Sequence, residues 1–171
     1  MRPMWLTRAK LPALASSIVK SLVDDKLIET ESPQGVQNDM LAVLEQYLKD
    51  EHDISTRARD LAAARGAPAT EVNRLRKELA KQQGVGVGEE SIDYVLAQLV
   101  EMLLHSGSVD EIYGQDHELK LAMRTPLRKE QAAAEQMEEV VRKRLKHVEE
   151  GSSQWEIEYQ RLREEVMRRR S

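Results

Sequence analysis

Seven apolar residues at helical spacing occur twice in this 171-residue chain, and the two sets keep register without a gap. Leu11, Leu14, Ala15, Ile18, Val19, Leu22 and Val23 follow steps of three and one, which line them along one face of a helix. Ile92, Val95, Leu96, Leu99, Val100, Leu103 and Leu104 repeat those steps, each 81 positions later. A chain patterned in this way is read as an internal duplication of a helical unit.

The segments that follow repeat in the same order. After Ser32-Pro33-Gln34-Gly35, which is turn chemistry, a long helix is expected from about Val36 to Ala64. Its stripe is Val36, Met40, Val43, Leu44, Tyr47, Ile54, Ala58 and Leu61, with Glu51 in the seam. Leu119, Met123, Leu127 and Met137 return 83 positions after Val36, Met40, Leu44 and Ile54. Pro126 is expected to kink or split this second long helix. Gly66-Ala67-Pro68 stops the first long helix, and Thr70 reads as the N-cap of a third helix holding Val72, Leu75 and Leu79. Tyr159, Leu162 and Val166 stand 87 positions further on. Ser153 and Glu156 match a capping box, so the last helix is expected to begin just after Ser153.

Three of the eight glycines fall in Gly84 to Gly88, the clearest breaker cluster. The chain therefore reads as all-α: a first helical repeat over 1–83, a glycine-rich linker over 84–88 and a second repeat over 89–171. Each repeat is a short helix, a long helix and a return helix. Units of this size bury a low fraction of their surface alone. The two stripes are therefore expected to face each other across a pseudo-two-fold, as in a fused homodimer.

The C-terminal stretch "EEGSSQWEIEYQRLREEVMRRR" resembles the ending of the bacterial family catalogued as domain of unknown function 507. The resemblance rests on Gly151, Ser152, Ser153, Trp155, Glu156, Ile157, Tyr159, Glu164, Glu165 and Arg168. The opening is similar too, with a basic start, the Leu11–Val23 stripe and "KLIE" at Lys26 to Glu29. Members of that family are often single copies of this pattern, so the resemblance implies a two-copy member. This chain departs in three places: Pro68 stands where the second copy has Trp155, Gly107-Ser108 stand where the first has Lys26-Leu27, and Met4 is an alternative initiator to Met1. The family carries no established reaction, so the resemblance implies a fold and leaves function open.

Composition narrows the chemistry. With no cysteine, the chain has no disulfide framework, thiolate metal site or cysteine nucleophile. The net charge of −4 supplies no global basic field for nucleic acid or an anionic membrane. Residues 1–85 carry 13 basic and 12 acidic side chains and residues 86–171 carry 13 and 18, so the surplus acid lies in the second half. No apolar run approaches the roughly 20 residues a membrane helix needs, and Thr7, Arg8 and Lys10 interrupt any signal-peptide core.

The residues that resemble catalytic patterns have ordinary explanations. His52, His105, His117 and His147 form no two-histidine helix face and read as surface residues. The glycines at 84, 86 and 88 lack the strand and the spacing of a dinucleotide fingerprint. Ser17 and Lys20 fit Ser-x-x-Lys, but no partner motif accompanies them. Runs such as Asp24-Asp25 read as solvated helix faces. Glu51 is the sharper acid, because a seam carboxylate can pair with a base across helices, set register or line a partner site.

The expectation is a cytoplasmic, non-catalytic helical protein that binds another protein or assembles with itself, with no metal or cofactor and no membrane contact. The candidate interaction residues are Leu27, Ile28, Val109 and Ile112, read as exposed hooks; Glu51; Trp155 and Tyr159, read first as core aromatics; and Arg168, Arg169 and Arg170. The last three read as complementing a helix C-terminus rather than as a nucleic-acid surface, because acids alternate with the arginines. A nucleic-acid regulator using the Arg-rich last helix and an enzyme of unfamiliar type are the rival readings.

Overall fold

Leu11 opens the first helix because Pro12 fits its first turn, where a missing N–H costs nothing. In the computed structural model, which describes residues 5–149 and 152–170, this helix is α1, Leu11–Asp24. It buries six of the seven stripe residues, while Val23 at the end of the stripe is 38% exposed. The chain leaves α1 through a left-handed residue, Lys26, with the amides of Lys26 and Leu27 bonded back to the carbonyls of Val23 and Leu22 at 3.0 Å. That is a Schellman ending, which usually employs glycine.

A two-residue strand β1, Ile28–Glu29, then leads to α2, Pro33–Ala64. The Ser32 hydroxyl caps α2 by accepting from the Gly35 amide at 3.2 Å. At 32 residues the helix is roughly 48 Å long. It packs against α1, α3 (Val72–Gln83) and α4 (Ser91–His105). Its core contact with α3 runs through Ile54, Ala58, Ala62, Leu75, Leu79 and Ala80. Thr70 does not cap α3. A 3-10 turn over Ala69–Glu71 precedes the helix, and no side chain caps either element. Gly84, at φ 71°, closes α3 in the same Schellman geometry that Gly66 gives α2.

α4 buries Ile92, Val95, Leu96, Leu99, Val100 and Leu103 and leaves Leu104 53% exposed. Strand β2, Glu111–Ile112, pairs antiparallel with β1, Ile28 opposite Ile112 and Glu29 opposite Glu111. The final elements are α5, Asp116–Arg144, and α6, Ser153–Arg170. α5 runs unbroken through Pro126, so the expected split does not occur. Leu119, Met123 and Leu127 remain fully buried on either side of it. α6 is capped by Ser152 rather than Ser153, since the Trp155 amide bonds Ser152 Oγ at 3.1 Å. The described chain is all-α apart from the one short ladder.

By packing, the chain divides into two units, Met1–Lys129 and Glu130–Ser171. The glycine-rich segment 84–88 lies inside the first. In the second, the end of α5 and α6 build their own core from Val141, Leu145, Tyr159 and Leu162, flanked by Val148 and Trp155.

Candidate functional site

α2 carries Tyr47, Glu51, Ile54 and Ser55 along one buried face, three of them charged or hydroxylic. The helical period puts Glu51 one turn from both Tyr47 and Ser55. The Ser55 hydroxyl donates to Glu51 Oε1 at 2.8 Å. Arg76 of α3 sets its guanidinium 3.7 Å from the same oxygen, with both side chains about a tenth exposed. This is the pairing across helices that a seam carboxylate calls for. The Arg76 Nε atom is buried without a hydrogen-bond partner, so the pair is an incomplete one.

One turn earlier, the Tyr47 hydroxyl donates to the Gly86 carbonyl at 2.8 Å, and its ring tilts against Tyr94 at 5.7 Å between centroids. Burial pushes the Tyr47 phenol far above its ordinary range, and the Glu51 carboxylate pushes it the same way. Beyond Gly86, Ser91 Oγ accepts from the Trp5 indole at 3.0 Å and donates to the Gly88 carbonyl at 2.7 Å. The polar side chains of this region therefore fasten α3 and the glycine segment to α2 and fasten the N-terminal segment to α4. The groups aim their bonds at one another, as a structural tie does, and not outward toward a ligand.

The second unit holds a related set. Glu138 is buried, with Arg142 Nη2 at 2.9 Å from its Oε1. Tyr159 is buried nearby. Burial, helped by Glu138, raises its phenol to about 12, against the lowering influence of Arg163 and Arg142. Trp155 is half-buried and stacks on Tyr159 with centroids 4.9 Å apart, so both aromatics belong to the core of this unit, as expected.

The expected exposed hooks need correcting. Ile28 is only 3% exposed, and Leu27, Val109 and Ile112 are half-buried. The hooks pair with each other: Ile28 faces Ile112, and the amides of Tyr113 and Gly114 bond the Leu27 carbonyl at 2.8 and 3.2 Å. A ladder between segments some eighty residues apart removes them from water. Arg168 is exposed, and the side chains of Arg169 and Arg170 lie outside the described residues.

Exposed apolar surface occurs where the sequence did not direct attention. Leu121, off the stripe of α5, is 64% exposed, and Ile157 on α6 is 68% exposed. Leu121 borders an open groove of about 420 Å³. Ser21, Asp25 and Leu27 form one side of it, and Glu118, Leu121, Ala122 and Thr125 form the other. Arg76 was legible in principle, because it continues the Val72, Leu75, Leu79 spacing as a charged intruder.

Among the described residues, no three of His, Asp and Glu converge as a metal site would require, and no helix is long and apolar enough to cross a membrane. No curated protein matches the chain. One family profile, described as Protein of unknown function (DUF507), matches residues 4–171 and so takes in the whole set of elements described above. The chain belongs to that family.

Proposed function

We propose that this chain is a non-catalytic helical assembly or adaptor protein, built by tandem duplication of a three-helix unit and acting in the cytoplasm through contact with another protein. The observation that carries the reading is the exposed apolar edge at Leu121 beside an open groove, set in a unit where the buried hydroxyls of Tyr47 and Ser55 are spent on internal ties. Large exposed apolar side chains at a groove are what a protein partner covers.

Three features support the duplication. The order 3-10 turn, short helix, two-residue strand and long helix occurs twice. Shifting β1 by the 83 positions that separate the starts of the long helices exchanges the pair Ile28–Ile112 with the pair Glu111–Glu29, as a two-fold axis through the ladder would. The small core of the second unit repeats the first at an offset of 87, with Val141, Leu145 and Leu162 in the places of Ile54, Ala58 and Leu75. Glu138 and Arg163 stand at the same offset from Glu51 and Arg76. The change of offset from 83 to 87 within α5 is four residues, about one helical turn, so the buried face is kept.

The nucleic-acid reading draws no support from α6, where Glu158 engages the Arg161 guanidinium and Glu165 lies 3.9 Å from Arg144. The deciding experiment is affinity purification of the tagged full chain at native expression with quantitative mass spectrometry. A protein partner near one-to-one stoichiometry is expected. Recovery of the chain with no such partner overturns the reading.

A further inference from the structure

The groove between α1 and α5 has a counterpart in the duplicated scheme, at the junction of α4 with α2, and that counterpart is shut. There the Ser106 hydroxyl donates to Asp39 Oδ2 at 2.5 Å, and the Ser108 side chain lies against Gly35, where a Cβ would come within 3.0 Å of the Ser108 Cβ. At the offsets of the repeat, Asp25 stands for Ser106, Ala122 for Asp39, Leu27 for Ser108 and Glu118 for Gly35. Ala122 cannot take part in the Ser–Asp bond, and Glu118 puts a side chain where the other junction requires none. The bond that closes one junction is therefore missing from the other, which is left open with leucines and an alanine between two carboxylates.

A surface of that kind fits an apolar side chain with a cation one turn away on a helix. The chain itself has such a helix. On α6, Ile157 is 68% exposed, and Arg161 follows it at i+4 on the same face. Trp155, Tyr159 and Leu162 face the core of that unit, so Ile157 and Arg161 point away from it. Arg161 is held at 2.5 Å by Glu158, an exposed pair that exchanges readily for another carboxylate.

We propose that the α1–α5 groove receives the Ile157–Arg161 face of α6 from a second copy of this chain. Ile157 covers Leu121 and Leu27, and Arg161 reaches Asp25 and Glu118. The two faces differ, so the contact is heterologous; it closes as a pair when each copy gives its α6 to the other and otherwise extends. The net charge of −4 opposes encounter between copies, so association depends on this local complementarity and weakens with salt. The inference rests on the protein-interaction reading and names one partner for the groove.

The test is sedimentation velocity of the purified full chain from low to high micromolar concentration, in low and high salt. Above the 19.5 kDa of one chain, the average mass should rise with concentration and fall with salt. Leu121→Glu and Ile157→Glu, each on an exposed surface, should weaken association by at least about tenfold, with circular dichroism confirming an unchanged fold. Asp25→Lys should weaken it as well, and mixing that variant with an Arg161→Glu chain should restore a mixed assembly. A mass of one chain at every concentration overturns the proposal, and so does association that survives both glutamate substitutions. Either result leaves the purification experiment to decide separately whether another protein binds the chain.

Discussion

The Tyr47 hydroxyl on α2 reaches the Gly86 carbonyl at 2.8 Å, which ties the middle of the longest helix to the segment between α3 and α4. Gly86 has no room for a side chain: a Cβ would sit 2.7 Å from the Glu90 carbonyl oxygen and 2.6 Å from the Tyr94 Cβ. Gly86→Ala should therefore displace backbone and cost about 1–3 kcal/mol. Tyr47→Phe leaves the carbonyl buried and unpaired, at about 1–2 kcal/mol. Urea unfolding measures both, and the double variant should lose less than the two losses added together, because the displaced loop has already broken the bond. Full additivity would contradict the tie.

Glu51 and Arg76 give a second prediction. Removing one member of a buried pair strands the other, so Glu51→Leu or Arg76→Met alone should cost about 3–5 kcal/mol. The 3.7 Å separation and the unbonded Arg76 Nε make the intact pair a weak one. The double variant should accordingly be more stable than either single one. Chemical denaturation of all four proteins checks this, and a double variant worse than both singles rules it out.

Lys26 occupies a left-handed conformation at φ 57°, while Gly66 and Gly84 end their helices in the same geometry. Lys26→Gly should remove the Cβ strain at the cost of a more flexible unfolded chain, for a net gain of up to about 1 kcal/mol. Thermal unfolding should show a higher midpoint. A lower midpoint would mean that the Lys26 side chain contributes more than its backbone costs.

All four tyrosines are shifted upward, and Tyr47 and Tyr159 are shifted most. Burial favours the neutral phenol of Tyr159 in the folded state, with a value of about 12. The unfolded chain releases that proton first. The stability this group contributes is therefore intact below the ordinary phenol range and is lost as pH rises from there through about 12. Alkaline titration followed by phenolate absorbance and circular dichroism should show Tyr47 and Tyr159 ionising late, together with loss of helix. Tyr159→Phe should remove part of the alkaline sensitivity. Four phenols titrating together on an intact fold would contradict the assignment.

The helices were legible because their apolar periods are strong. Ser32-Pro33 marks the start of α2 and the Leu11–Val23 stripe marks α1, with only the last stripe residue left out of the core. Pro126 does not split α5, because a proline inside a helix with Leu119, Met123 and Leu127 buried around it can be held by packing that no local rule weighs. Ile28 was misjudged for a different reason. Its partner Ile112 lies far along the chain, and a two-residue strand has no period to detect. Glu51 stood out as a charge in a stripe and Arg76 interrupts the α3 spacing in the same way, but that the two meet emerges only when the helices are packed. Leu121 carried no signal, because one leucine off the stripe is ordinary until a groove appears beside it.

The ties within the first unit also bear on how the chain is made. Trp5 meets Ser91 across 86 positions, and Thr30 meets Ser108 across 78. At roughly 5–20 residues per second of synthesis, the earlier partner of each pair waits on the order of 4–17 seconds for the later one to be translated. During that interval α1 has α2 to pack against, whereas Trp5 and Thr30 still lack the partners that hold them in the finished fold.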